Sequence, residues 1–434
     1  MTHRLILPSL LSLLAATAHA QTMVLDAEFS DYANRLTKPL LGNLPHTQGV
    51  SFVLIGDDSL NAYVDAEKVV HVHAGLFLNA KGSGDIQGVL AHELGHISSQ
   101  HLLKMGDNIK TATLSAIAGA VVGVGAAVAG APQVAAAAMA GGQALGVSQM
   151  LKFSRTQEQE ADQRGIAALH GAGYSAQGML NTFNRLRLDT QLSYGSLPPY
   201  LLTHPLPETR LQSLQRAVAT EAASQTLSEA EFARISAKVY ALTHTSPATL
   251  RKFNGTTEVD AYARALAYTA QGKLDDAARE LTPLLAAHPN DVFYHELAAQ
   301  IAVQRGNLAE AAEGFHKVLS QRPDLLLVRF QLADVQRNLG DMKAAAANYR
   351  TITEQWAVWA DPWRGLGLCY GAMGQLPLSH LSLAQAAVYS ANPVEAKAQL
   401  AIAQTYLAKT PDAEATSWAE ALEAGLKDVD VTKQ

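Results

Sequence analysis

Gly272-Lys273-Leu274-Asp275-Asp276-Ala277 recurs 34 residues later as Gly306-Asn307-Leu308-Ala309-Glu310-Ala311, again as Gly340-Asp341-Met342-Lys343-Ala344-Ala345, and a fourth time as Gly374-Gln375-Leu376. Other columns keep the same step: Ala265, Ala299, Ala333 and Gly367, then Leu281, Phe315, Tyr349 and Leu383. A fixed period with small residues at set places predicts two antiparallel helices per repeat, meeting closely where side chains are small. Each glycine predicts the end of a first helix, because a residue without Cβ closes a helix in the left-handed conformation. One repeat cannot bury its own apolar face, so the repeats must stack into an α-solenoid.

The period is that of tetratricopeptide repeats and assigns 257–410 to a repeat domain. Pro393 opens a less regular capping segment, and 411–434 reads as a C-terminal tail. Ser, Thr, Pro and Gly in 246–256 read as a linker. Residues 21–245 lack the period and are numerous enough to bury a core of their own. The expected fold class is mostly α: an α+β domain with a small β-sheet, followed by the solenoid.

Of the 434 residues 48% are apolar and 17% charged, which excludes a disordered chain. Lys and Arg total 33 against 39 Asp and Glu, a net charge of −6, which argues against a nucleic-acid partner of the basic kind. The single cysteine, Cys369, excludes an internal disulfide and any cysteine-based zinc cluster.

Arg4, the apolar run Leu5 to Ala16 and the small residues of Ala18-His19-Ala20 predict a signal peptide over 1–20 and hence export. The run is too short to span a bilayer. Gly49 to Ile55, Ala62 to Val64 and Val69 to His73 predict three strands in a hairpin or meander. From Asp85 to about Leu188 the chain reads as helical. Inside that region 111–151 contains no Asp, Glu, Lys, Arg or His. Its Ala and Gly supply little transfer free energy, so a cover over the domain is favoured, with peripheral membrane contact as the competing reading.

Ala91-His92-Glu93-Leu94-Gly95-His96 carries H-E-x-x-H. Residues four apart on a helix differ by roughly 40° in azimuth, so His92 and His96 share a face and can both reach one zinc ion. Glu93, beside them, can hold the attacking water and take its proton. A hydrolytic zinc site takes three protein ligands. A third histidine in the metzincin register is excluded by Ser99 and Leu102, and His101 lies roughly 140° from His96 on an ideal helix. Glu158 is the better third ligand, with Asp162 one turn on to hydrogen-bond a ligand histidine. Glu160 points roughly 200° from Glu158 and reads as a solvated charge. In His204-Pro205-Leu206-Pro207-Glu208-Thr209-Arg210, His204 reads either as a fourth zinc donor or as an oxyanion donor. Arg210 reads either as a partner of Asp162 or as a substrate contact. His71 and His73, on one face of a strand, read as cleft lining or satisfied polar residues rather than ligands.

Together, His92-Glu93-Leu94-Gly95-His96, the run Ser154-Arg155-x-x-Glu158-x-x-Ala161-Asp162-x-x-Gly165 and His204-Pro205 with Arg210 resemble the Ste-type zinc metallopeptidases. The order of signal, peptidase and tetratricopeptide repeats is similar to the BepA-like members, periplasmic beta-barrel assembly-enhancing proteases. The resemblance implies a gluzincin peptidase domain over 21–245 and one Zn2+ per chain. Glu93 would then be the base, and His92, His96 and Glu158 the ligands. It also implies that Asn61-Ala62-Tyr63 binds an extended substrate by strand addition, that His204 caps the zinc and keeps the enzyme latent, and that 111–151 is the family's mobile region near the active site. Where the family has a Pro-Gly-Gly turn after that strand, this chain has Asp65-Ala66-Glu67-Lys68. A repeat-domain disulfide cannot be carried over to a lone Cys369.

The function so implied is a zinc endopeptidase of the periplasm, associated with the outer membrane. It would act on unfolded or misassembled outer-membrane proteins, with repeats that recruit substrate or the beta-barrel assembly machinery. The alternative is a chaperone or adaptor scaffold whose repeats carry the function while proteolysis stays latent.

Overall fold

The computed structural model of the chain describes residues 23–65, 67–101, 155–192, 200–201, 204–222 and 225–427. The expected signal peptide and the uncharged 111–151 lie outside the described residues.

The chain opens with β1 (Met23–Val24) and α1 (Ala27–Leu41). Asp26 starts α1 by accepting a hydrogen bond from the Phe29 amide at 2.8 Å, an N-cap. Phe29, Tyr32, Ala33, Leu36 and Leu40, spaced three and four apart, give it one buried stripe. Then come β2 (Ser51–Ile55), β3 (Ala62–Val64) and β4 (Val69–His73). Of the expected hairpin or meander, β3 and β4 form an antiparallel hairpin, but β2 runs parallel to β4 and the sheet order is β1-β2-β4-β3, so the three strands are not a meander. Parallel register sets Phe52 beside Val70 and Leu54 beside Val72, so four fully buried side chains share the core face. An alternating hydrophobic pattern specifies a face but not a neighbour. The β3–β4 turn lacks Pro-Gly-Gly, and Asp65 serves instead: its Oδ1 accepts from the Val69 amide at 2.8 Å. Strand β3 is left at the sheet edge.

Helices α2 (Ala74–Asn79) and α3 (Ser83–Ser98) follow. After the undescribed stretch come α4 (Arg155–Gly171), α5 (Gln177–Leu192), α6 (Glu208–Ala219) and α7 (Glu229–Thr243). Fifteen of the sixteen residues of α3 are buried, so it runs through the middle of the domain. Leu76, Phe77, Ile86, Leu90, Leu94, Phe183 and Leu211 belong to one core around it.

Of the expected linker, Ser246–Lys252 form α8, with proline in the first turn, where its missing N–H costs nothing. The repeats follow as antiparallel pairs: α9 (Glu258–Ala270) with α10 (Leu274–Ala287), α11 (Val292–Gln304) with α12 (Leu308–Gln321), α13 (Leu326–Leu339) with α14 (Met342–Gln355), and α15 (Ala360–Ala372) with α16 (Leu376–Tyr389). Gly272, Gly306, Gly340 and Gly374 lie between the members of each pair at φ from 70° to 87°, as the period predicts. A last pair, α17 (Pro393–Leu407) and α18 (Ala413–Lys427), closes the stack. The expected tail is therefore in large part a helix. Ala415, Ala419, Leu422 and Leu426 form an apolar face that packs with Leu400, Ala403 and Leu407. No described helix is long and apolar enough to cross a membrane.

The two halves meet through buried charge. Glu28 at the start of α1 accepts from the Tyr262 hydroxyl at 2.6 Å and pairs with Arg234 at 2.6 Å and Lys238 at 3.1 Å. Arg234 reaches on to Asp291 of the repeats.

Candidate metal centre and active site

Helix α3 presents His92, Glu93 and His96 in the core, all at 0% exposure. Helix α4 crosses it at very short range. A Cβ on Gly95 would stand 2.4 Å from the Ala161 carbonyl oxygen, and one on Gly165 would stand 2.9 Å from that of Ala91. Only glycine permits that crossing, and the crossing delivers Glu158 to the two histidines. His92 Nε2 lies 3.1 Å from His96 Nε2 and 3.4 Å from Glu158 Oε2, while His96 Nε2 lies 3.3 Å from Glu158 Oε1. His204 arrives from beyond α5, its Nδ1 3.4 Å from His92 Nε2 and 3.1 Å from Glu158 Oε1. The four donors all lie within 4.8 Å of one another and all four residues are buried.

The donor set fits a metal ion. Tetrahedral donors at about 2.0–2.1 Å from zinc stand about 3.3 Å from each other. With Oε1 as the Glu158 donor, four separations of 3.1–3.4 Å match those edges, while His92 approaches Glu158 through Oε2 at 3.4 Å. Charge agrees: three buried carboxylates, Glu93, Glu158 and Asp162, face one guanidinium, Arg210, and the excess negative charge that draws a proton onto His92 is one that a divalent cation would offset. Burial raises the Glu93 carboxyl above its usual range. Burial opposes a charge on His92, but Asp162 and Glu158 outweigh it and lift the ring to about 9. Burial, together with His92 and His204, holds His96 well below its ordinary value. Burial would raise Glu158, yet His204, His92 and His96 hold it low.

Asp162 accepts from His92 Nδ1 at 2.9 Å, which leaves Nε2 as the lone-pair nitrogen facing the cluster. Arg210 is 1% exposed. Its Nε and Nη2 bind Asp162 at 2.6 and 2.8 Å, and its Nη1 donates to Glu158 Oε2 and to the Pro205 carbonyl at 2.6 and 2.7 Å. Of its two expected roles the geometry has the partner of Asp162. Arg210 also clamps Glu158 to the loop that carries His204. Both Glu93 oxygens are buried without a hydrogen bond among the described groups, and Oε1 lies 3.8 Å from His204 Nε2.

Residues 26–218 match the model of peptidase family M48. The chain is 31% identical over 339 residues to the beta-barrel assembly-enhancing protease of Escherichia coli (strain K12), covering 75% of this chain and 68% of that one. The chain belongs to peptidase family M48. It is a metalloendopeptidase. Another relative of the same name, from Yersinia pestis, is 26% identical over 324 residues, 72% of this chain and 66% of that one. The metalloprotease LoiP of Escherichia coli (strain K12) is 29% identical over 188 residues, 43% of this chain and 70% of that one.

Around this M48 centre the expected strand Asn61-Ala62-Tyr63 forms the sheet edge: Ala62 pairs Val72 and Tyr63 pairs His71. His71 and His73 bond to other partners, and His71 Nδ1 stays buried without a hydrogen bond among the described groups. His71 Nε2 meets Asp65 at 2.8 Å and its ring stacks on Tyr63, while His73 Nδ1 meets Ser59 Oγ at 2.9 Å. Sequence reasoning missed three residues. Tyr200 is buried and stacks on His204 with centroids 4.5 Å apart. His101 and Glu160 were set aside on ideal-helix azimuths, yet His101 Nδ1 lies 3.0 Å from His96 Nδ1. The helix ends at Ser98, and Gln100 takes φ 55°, which turns His101 back toward the site. Glu160 is 38% exposed but reaches His101 Nε2 at 3.3 Å. A histidine just past the end of a metal-binding helix was the one signal available.

Proposed function

We propose that the chain is a zinc-dependent endopeptidase of the periplasm that acts on misfolded or stalled outer-membrane proteins and assists their assembly, with the repeats recruiting substrate or the assembly machinery. The carrying observation is the buried set of His92, His96, Glu158 and His204 with an unsatisfied Glu93 beside it. The names of the relatives support the substrate class, and a signal peptide over 1–20 would supply the address. Three nitrogens and a carboxylate oxygen favour zinc.

His92, His96 and Glu158 are the residues that would hold the metal. Held there, a divalent metal would supply Lewis-acid polarisation of a peptide carbonyl and would lower the pKa of water toward neutrality. Glu93, raised by burial, accepts the proton of the attacking water and passes it to the leaving amine. Asp162 orients His92. Arg210 is a positioning residue that holds Glu158 and Asp162 in place. The free edge of β3 at Asn61, Ala62 and Tyr63 offers main-chain groups to an extended substrate. His204 is a fourth donor, and in that position it keeps the enzyme latent. The fourth-donor place of His204 favours a second reading, an adaptor whose repeats carry the function while proteolysis stays latent, although Glu93, which a structural site does not need, argues against it.

Glu93→Gln tests the mechanism, since it removes the base and spares the ligands. Cleavage of an unfolded protein should fall by about 10²–10⁴-fold while bound zinc stays at one per chain. Cleavage at the wild-type rate would show the assignment to be wrong. A Glu93→Gln gene that fully restores envelope integrity in cells lacking the protein would favour the adaptor. His204→Ala should raise proteolysis; unchanged or lower activity would remove the latch.

A further inference from the structure

His101 and Glu160 lie outside the four-donor set, yet their geometry decides which nitrogen of His96 faces it. His101 is fully buried, with Nδ1 3.0 Å from His96 Nδ1 and Nε2 3.3 Å from Glu160 Oε2. A neutral imidazole has one N–H and one lone pair, so a hydrogen bond between two rings needs a donor on one and an acceptor on the other, and two lone pairs can face each other only across a shared cation. A carboxylate only accepts. His101 Nε2 therefore carries the hydrogen and donates to Glu160. His101 Nδ1 is then a lone pair, and His96 Nδ1 must donate to it. That leaves His96 Nε2 as its lone-pair nitrogen, the atom that lies 3.1 Å from His92 Nε2 and 3.3 Å from Glu158 Oε1. His92 reaches the same state in one step, through Asp162.

We infer that Glu160 and His101 form a two-step relay that orients His96 as a metal donor, making both positioning residues of the M48 reaction. The inference rests on the metal lying among His92, His96 and Glu158. The left-handed turn at Gln100 brings the His101 ring edge-on to His96, with centroids 5.1 Å apart and planes at 71°. Arg164 meets the other Glu160 oxygen on the solvent side, its Nη2 3.2 Å from Oε1, in a half-exposed pair outside the relay. The two ligand histidines thus take their orienting carboxylates from one helix: Asp162 acts directly, and Glu160 acts through a second ring.

The test is the zinc dissociation constant of the full chain, measured by competition with a chromophoric chelator, with circular dichroism to check the fold. His101→Leu should weaken zinc by about 10–100-fold. His101→Asn puts an amide oxygen near the place of Nδ1 and should bind within about threefold of wild type, because it still accepts from His96. Glu160→Ala, at a half-exposed position that spares the core, should weaken zinc in the same direction, and Arg164→Ala should not. The inference is overturned if a folded His101→Leu binds zinc as wild type does. It is also overturned if Asn is no better than Leu, or if Arg164→Ala matches Glu160→Ala. A wild-type chain that takes up no zinc would instead overturn the metal reading itself.

Discussion

In the repeat half, Gly272, Gly306, Gly340 and Gly374 occupy one structural place four times, and each helix packs on its neighbours in the chain. In the peptidase half, His204 reaches Glu158 across 46 residues and His92 across 112. The repeats bury alanine, leucine and aromatic rings. The peptidase domain buries the polar groups of its site instead: His92, His96, His101 and His204 with Glu93, Glu158, Asp162 and Arg210. A stack of near neighbours spreads its stability over many equivalent contacts. A buried polar site stands only if remote segments arrive together, because each group is costly until its partner is present.

The largest separation of the halves is expected from Glu158→Gln. It removes a charged donor and should weaken zinc by more than the roughly 10–100-fold seen when only a supporting hydrogen bond is lost. Thermal unfolding of the repeats should stay as in wild type; a matching fall would mean that the metal centre also holds up the solenoid. The converse is Phe315→Ala. Phe315 is fully buried between repeats, and the cavity should cost about 3–5 kcal/mol in denaturant titrations that follow the repeat tryptophans. Zinc affinity should not change, and a parallel loss would erase the distinction.

The smallest effect probes the seam. Glu296 is 1% exposed, and its Oε2 has no hydrogen bond among the described groups. Burial pushes its carboxyl from 4.5 up to about 7; Lys238 opposes the rise, and Asp26 and Glu28 add to it. An acid raised by folding binds its proton more tightly in the folded state. Its contribution is therefore whole below pH 4.5 and fades as pH rises through about 7. Glu296→Gln should flatten that decline and raise Tm at pH 8, by about 2–4 °C for each kcal/mol of desolvation relieved. Equal slopes in the two proteins would show that Glu296 is ionised at the seam throughout.

The solenoid was readable almost to the residue, because a repeat writes its structure in spacing and each contact lies within a period. The helix at Ala413–Lys427 was not read, since a terminal element departs from the period. In the peptidase half, H-E-x-x-H placed His92 and His96 together because both sit on one helix. The wrong strand order, and the dismissal of His101 and Glu160, share a cause: each followed from an ideal local geometry. Register across a sheet and a single left-handed residue lie beyond that geometry.

Composition and spacing were thus enough to specify a helical stack and a two-histidine helix, because periodicity and i, i+4 azimuth are properties of the chain alone, whereas Glu158 was a candidate that spacing could name but not bring to them. The close α3–α4 crossing at Gly95 and Gly165, the fourth donor from His204, the burial of Arg210 between two carboxylates and the turn that returns His101 were settled only in three dimensions. Those features depend on which distant surfaces exclude water together, and no local pattern encodes that.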